Sequence, residues 1–164
     1  MELGDAERTL KSREVGARLK GLLDWSKAES VHYFEPLREL MEPDISPFIT
    51  WLEDEYPKLK LFTPRRIEGK WELVAVRGGQ PPAAPRFDVV VVPALGFDPR
   101  TLHRIGYGGG YYDKFLATQP QAKKIGVCFE AGKLEQSPIE PHDVRLDLVI
   151  TEAKAYSLKT RRLG

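Results

Sequence analysis

The chain has 164 residues, enough for one domain with its own core, and its 41% hydrophobic and 30% charged residues are ordinary for a globular protein. With 25 Lys and Arg against 24 Asp and Glu, the net charge of +1 argues against duplex nucleic acid as a partner, yet leaves room for one phosphorylated small molecule held by a few local donors. The lone cysteine, Cys128, excludes an internal disulfide and a cysteine-rich zinc site, and no apolar run reaches signal-peptide or membrane-spanning length, so a cytoplasmic protein with no membrane partner is expected.

From the amino terminus, Asp5 to Leu23 places Leu10, Val15, Leu19, Leu22 and Leu23 at helical spacing and predicts an amphipathic helix. Ser30 to Phe34 reads as a short strand. Glu42-Pro43-Asp44 opens a second helix whose apolar stripe is Phe48, Ile49 and Leu52 and which runs to Tyr56. Leu59 to Thr63 is a second strand that Pro64 is expected to stop. Trp71 to Val76 alternates as an edge strand behind a turn at Gly69-Lys70. Residues 78–85, rich in glycine and proline, read as an irregular connection.

Phe87 to Pro93 is a continuous apolar run of the kind buried on both faces of a parallel sheet, and Lys124 to Phe129 and Leu146 to Thr151 repeat its character. Between them, Tyr111 to Thr118 reads as a short helix. Strands and helices therefore alternate, which predicts a layered α/β domain with a mostly parallel central sheet and flanking helices. That domain is expected to occupy residues 1–153, followed by a basic flexible tail over 154–164 with Lys154, Lys159, Arg161 and Arg162.

The chemistry concentrates after the buried run that ends at Pro93. Open α/β sheets bind ligands beyond the carboxyl ends of their strands. There the chain enters a long loop and then Gly106-Tyr107-Gly108-Gly109-Gly110-Tyr111-Tyr112-Asp113. Glycines leave backbone N–H groups free to face a ligand, and successive N–H groups ahead of a helix form an anion-binding concavity. Arg104 is a candidate phosphate clamp. Asp113, in the first helical turn, is a candidate Mg²⁺ ligand, because magnesium takes one or two carboxylates together with substrate phosphate oxygens. The spacing is neither the dinucleotide fingerprint nor a Walker loop, so on the glycines alone a plain surface turn is an equal alternative.

Other residues carry plain readings of their own. Tyr111 and Tyr112 could be core packing, Asp143 a turn cap, His142 a turn histidine, and Cys128 a small buried hydrophobe. His32 alternates with apolar neighbours in a predicted strand and has no evident partner.

The run PALGFD, then RIGYGGGYYDKFL, IGVCFE, PIEPHDVRLD and VITE resembles the 5-formyltetrahydrofolate cyclo-ligase family, over most of the chain from about Tyr33 to Glu152. The resemblance implies an ATP- and Mg²⁺-dependent ring closure of 5-formyltetrahydrofolate to 5,10-methenyltetrahydrofolate. It implies that Arg104, Ile105, Gly106, Tyr107, Gly108, Gly109, Gly110, Tyr111 and Tyr112 bind ATP, with Arg104 and Tyr111 catalytic. It also implies that Phe34, Glu39 and Tyr107 to Tyr111 line the folate, and that Asp113 and Asp143 hold the metal. The implied partners are a reduced folate and ATP, and a monomer is the default expectation. Two alternatives remain: a member that binds folate or nucleotide without turnover, and another Mg-ATP-dependent transferase on the same scaffold.

The sequence departs from the family pattern at four places. Arg8, Lys11, Arg13 and Arg18 do not reproduce the basic Lys-x-x-Leu-Arg helix, and the chain is expected to begin where the family's second helix lies. GGQPPAAP replaces the Gly-Ile-x-Glu-Pro segment that helps wall the folate pocket. The loop from Phe97 to Gly106 is one residue longer and has lost its internal glycine, with Arg100 and His103 as candidate replacement cations. Gly132 stands where the family commonly has glutamine.

Overall fold

A computed structural model describes residues 4–36, 42–77, 79–106, 111–135 and 143–158. Its element order is α1 (Asp5–Leu22), β1 (Ser30–His32), α2 (Ser46–Glu55), β2 (Lys60–Ile67), β3 (Lys70–Arg77), β4 (Val89–Pro93), β5 (Gly96–Phe97), β6 (Arg104–Ile105), α3 (Tyr111–Ala117), β7 (Lys123–Val127), β8 (Leu148–Ile150) and β9 (Ala155–Ser157). Seven strands form one sheet in the order β3-β2-β1-β4-β7-β8-β9, and β5 pairs with β6 apart from it. β2, β1, β4, β7 and β8 run parallel, while β3 and β9 close the two edges antiparallel. The expected α/β layering with a mostly parallel sheet is what is found.

Burial explains the order. All five residues of β4 are buried, and this strand lies at the centre between β1 and β7, as its unbroken Val89-Val90-Val91-Val92 run requires. α2 buries Phe48, Ile49 and Leu52, the stripe read from its spacing. α1 packs beside α2 and reaches β8, burying Ser12, Val15, Gly16 and Leu19. Leu10, expected on that buried stripe, is instead 61% exposed. The buried face turns through Ser12 and Gly16, two small residues that an apolar count passes over, and Ser12 Oγ accepts from Asp44 N at 2.9 Å.

Two boundaries also differ from expectation. Pro64 does not stop β2, which continues to Ile67 with Pro64 opposite Leu73 of β3. By that point β1 has ended, its last pair with β2 being His32 and Phe62, so one side of β2 has no strand waiting for the missing proline N–H. The β2–β3 hairpin therefore extends past the parallel strands and turns at Glu68 and Gly69, with φ of 50° and 80°. At the other edge, Ala155–Ser157, expected in the basic tail, forms β9 against β8, with Tyr156 buried. Residues 159–164 of that tail lie outside the described residues.

Gly132 has a local cause. A Cβ there would stand 2.6 Å from the Leu95 carbonyl oxygen, 2.7 Å from Cys128 Sγ and 3.3 Å from Gly96 Cα. The 3-10 turn over Glu130–Gly132 is pressed against the start of β5, so a glutamine cannot be accommodated without moving backbone. Gly132→Ala is expected to lower stability by about 1–3 kcal/mol through overpacking, measured by urea denaturation; an unchanged midpoint would show that the turn has slack.

Candidate active site

The parallel strands are laid down in two directions from the middle of the sheet. From β1 the chain crosses through α2 to β2 on one side, and from β4 it crosses through α3 to β7 and then β8 on the other. The reversal falls between β1 and β4, and the crevice beyond the carboxyl ends of two such strands is where open α/β sheets take their ligands. A narrow cleft lies at that place, lined by Phe34 and Glu35 after β1, Pro93 at the end of β4, Tyr111 and Tyr112 of α3, Glu42, and Pro64 and Trp71 of the hairpin.

Arg104 is brought against two of these lining residues, Pro93 and Tyr112, by a fold-back. The chain leaves β4 at Pro93, runs out through β5, turns over residues 98–103 and returns in β6, with Arg104 opposite Phe97. The turn is fixed by Asp98, which is 2% exposed. Its main-chain oxygen accepts from Leu102 N at 2.7 Å, its Oδ1 accepts from Arg100 N at 2.9 Å, and Leu102 takes a φ of 59°. Arg104 Nε then donates to the Pro93 carbonyl at 2.9 Å, and its guanidinium lies 5.3 Å over the ring of Tyr112. Gly106 makes the placement possible, because a Cβ at that position would stand 2.4 Å from Arg104 Nη2.

Tyr111 and Tyr112 open α3 with their rings 5.0 Å apart and nearly perpendicular. Tyr112 is buried and Tyr111 half-buried, with Tyr111 stacked on Phe115 at 5.8 Å. The tyrosines are thus both packing and cleft wall, so the two readings of them are not exclusive. Asp113 is half-buried in the first turn of α3, and Asp143 is half-buried ahead of β8. Among the described residues no cluster of three or more His, Cys, Asp or Glu could hold a metal. A Mg²⁺ that keeps water and phosphate oxygens needs no such cluster, and hard carboxylate oxygens of the Asp113 and Asp143 kind are the donors it takes. Of the other expected site residues, Glu39, Tyr107, Gly108, Gly109, Gly110 and His142 lie outside the described residues.

Of the other basic side chains, Arg100, Lys11, Arg18 and Arg8 are bonded to protein groups, whereas His103 Nδ1 is buried without a hydrogen-bond partner. Arg100 bonds Asp98 and the Glu135 carbonyl. Lys11 pairs with Glu7 and Glu152, and Arg18 caps the carbonyls of Glu152 and Ala153. Arg8 donates twice to the Glu42 carbonyl, at 3.2 and 2.8 Å, so α1 braces the cleft wall at Glu42. Glu42 itself is 3% exposed. Sequence reading missed it, together with Glu35, Pro64 and Trp71. Only the acidic pair flanking Phe34 and Pro43 offered a signal, since the hairpin's overlap with the cleft depends on the strand order.

Two buried groups nearby are not part of the cleft chemistry. Cys128 is 1% exposed, and burial, with Glu152 and Glu130 adding to it, pushes its thiol up to about 12, so it is a neutral packing residue as read. His32 is fully buried among Phe87, Tyr112 and Phe115, its ring 4.3 Å from that of Phe115. Neither ring nitrogen has a hydrogen-bond partner, and burial lowers its pKa to about 3.

Roomier hollows lie at the opposite end of the strands. One is lined by Gln80, Pro82, Pro85 and Arg86 beside Ser30 and Lys60, and another by Arg86, Phe87, Gln119 and Gln121. Both sit at the amino ends of the parallel strands, away from the switch point, and hold none of the expected site residues. The proline-rich connection therefore does not wall the cleft.

A model of the 5-formyltetrahydrofolate cyclo-ligase family matches residues 3–152. The chain belongs to that family. It is 32% identical over 102 residues to a probable 5-formyltetrahydrofolate cyclo-ligase of Caenorhabditis elegans, an alignment covering 58% of this chain and 47% of the relative. The chain spans about half or less of the curated relatives it matches. Two solved 5,10-methenyltetrahydrofolate synthetases share the fold, both at 24% identity. That of Mycoplasma pneumoniae superposes with a TM-score of 0.74 over 92% of this chain and 90% of the other. That of Aquifex aeolicus gives 0.75 over 99% and 88%. No helix among the described residues is long and apolar enough to cross a membrane.

Proposed function

We propose that this member of the cyclo-ligase family converts 5-formyltetrahydrofolate to 5,10-methenyltetrahydrofolate at the expense of ATP. The formyl oxygen takes the terminal phosphoryl group, N10 attacks the activated carbon, and that oxygen leaves as inorganic phosphate, giving ADP as the second product. The observation that carries this reading is the fold-back that sets the Arg104 guanidinium against Pro93 and Tyr112, two residues that line an aromatic, carboxylate-bearing cleft at the sheet's switch point.

Phosphoryl transfer asks a protein mainly for positioning and for neutralisation of charge on the transferring group. Arg104 is always charged and held in one orientation by Pro93 and Tyr112, so it meets a phosphate without reorganising. The segment Ile105 to Gly110 would supply backbone N–H donors ahead of α3. Phe34 and Tyr111 give apolar walls to the folate. The carboxylates of Glu35 and Glu42, with Glu39 as a further candidate, suit the donor edge of a pterin, which can pair with a carboxylate in two places. Asp113 and Asp143 would hold Mg²⁺, which supplies charge neutralisation at the phosphates when bound.

A second reading, a member that binds without turning over, has one observation in its favour: Arg8, Lys11, Arg18 and Arg100 are all bonded to protein groups. The two readings part on one assay of the purified chain. Appearance of the methenyl chromophore only when ATP and Mg²⁺ are both present supports turnover. Calorimetric binding of folate with no product under those conditions supports the second. Asp113→Asn is expected to shift the magnesium dependence of turnover to higher concentration, and an unshifted curve would remove Asp113 from the metal site.

A further inference from the structure

Trp71 is a large aromatic residue that the core does not use. It sits on the edge strand β3, 37% exposed, in the part of the hairpin that runs past the end of β1. Its ring lies 5.8 Å from that of Tyr111, tilted by 31°, and the Arg66 guanidinium stands 5.8 Å from its centre. The bidentate pair of Arg65 with Glu35, at 2.7 and 3.3 Å, ties the same hairpin to the chain leaving β1. A partly wetted indole facing a cleft, backed by a cation and fastened at its base, leaves a planar apolar surface for a planar ligand.

The geometry points to Trp71 as the platform on which the pterin ring of the folate lies, a wall supplied by the β2–β3 hairpin where the proline-rich connection is absent from the cleft. This rests on the proposed cyclo-ligase activity and adds to it the residue that reads the substrate's ring. Three features favour the pterin over the adenine of ATP. Glu42 lines the same cleft, and a carboxylate matches the amino and ring N–H donors of a pterin edge, whereas adenine offers one amino group. Arg104, the phosphate-directed cation, is anchored to Pro93 and Tyr112 rather than to the hairpin. The connection at 80–85 lies at the far end of the sheet, so nothing else described competes for that side of the cleft.

The test is a comparison of the natural chain with Trp71→Ala and Trp71→Phe. It uses calorimetric titration with 5-formyltetrahydrofolate and separately with ATP, followed by steady-state kinetics. Loss of one stacked ring is worth a factor of roughly 10 to 100 in affinity. Trp71→Ala is expected to weaken folate binding, and raise its KM, by about that factor, with ATP affinity within about two-fold and kcat within about three-fold. Trp71→Phe, which keeps a ring, is expected to recover most of the loss. Equal folate affinity in Trp71→Ala overturns the inference. So does an equal loss for both ligands, which means that the wall has collapsed, or a larger loss for ATP, which means that the platform is for adenine. If the natural chain neither binds nor turns over the folate, the proposed function falls and this inference with it. If the natural chain turns the folate over and Trp71→Ala is indistinguishable from it, the inference alone falls.

Discussion

Arg104→Ala is expected to lower kcat/KM for ATP by about 10²–10³-fold while leaving the unfolding midpoint nearly unchanged, the loss that follows removal of one preorganised donor to developing charge. The side chain is held in three ways: Nε donates to the Pro93 carbonyl, the guanidinium covers Tyr112, and Gly106 leaves room beside Nη2. The planar guanidinium bonds the main chain through Nε while lying over an aromatic face, an arrangement that a lysine ammonium cannot copy. Arg104→Lys is therefore expected to recover little of the loss. Full activity in Arg104→Lys would show that only charge matters. Full activity in Arg104→Ala would remove the residue from the site altogether.

The second large effect is on stability in mild acid. His32 is buried with a pKa lowered to about 3, against 6.5 for the exposed ring. Between those values the unfolded chain binds a proton that the folded chain refuses, so stability falls as pH drops below 6.5 and the penalty stops growing below about 3. From pH 7.5 to pH 5 the difference is worth about 2 kcal/mol. His32→Phe keeps an aromatic ring against Phe115 and has nothing to protonate. The natural chain is thus expected to lose about 2 kcal/mol more than His32→Phe over that interval, measured by urea denaturation at each pH. Glu130 also titrates with folding. Burial would raise its pKa, but hydrogen bonds from Tyr156, Thr151 and Lys133 lower it overall, so its stabilisation is likewise lost as pH falls. That contribution is common to both proteins and cancels in the comparison. Parallel pH profiles would show that His32 is hydrated or partnered in solution.

Much of the fold could be read from local pattern. Val89 to Val92 could only be a strand covered on both faces, and Phe48, Ile49 and Leu52 could only be one side of a helix. The glycine-tyrosine-aspartate block pointed to the carboxyl end of β4, and its Arg104, Tyr111 and Tyr112 do gather beside Pro93. What local pattern could not supply was the cleft's opposite side. Trp71 and Glu42 are about 40 and 70 residues from Tyr111 in the chain; Trp71 meets it because β2 and β3 fall on the far side of β1, and Glu42 comes from the connection between β1 and α2. Pro64 pointed the wrong way: as a breaker it argued for the end of a strand, whereas the end of the neighbouring β1 removed the reason for a break. His32 looked unremarkable in an alternating strand, since the ring cluster around it is built from β4 and α3 side chains far along the chain.

The bare backbone at Gly106 gives positions 104 and 106 a single fate. Any side chain at 106 contests the volume that the Arg104 guanidinium now fills, and the arginine, as the flexible partner, yields first. A methyl group two residues away would thus act as a partial deletion of the guanidinium, without touching a ligand. For anyone grafting this loop onto another sheet, the transferable unit is the arginine together with its glycine, since the cation keeps its aim only while position 106 carries no side chain.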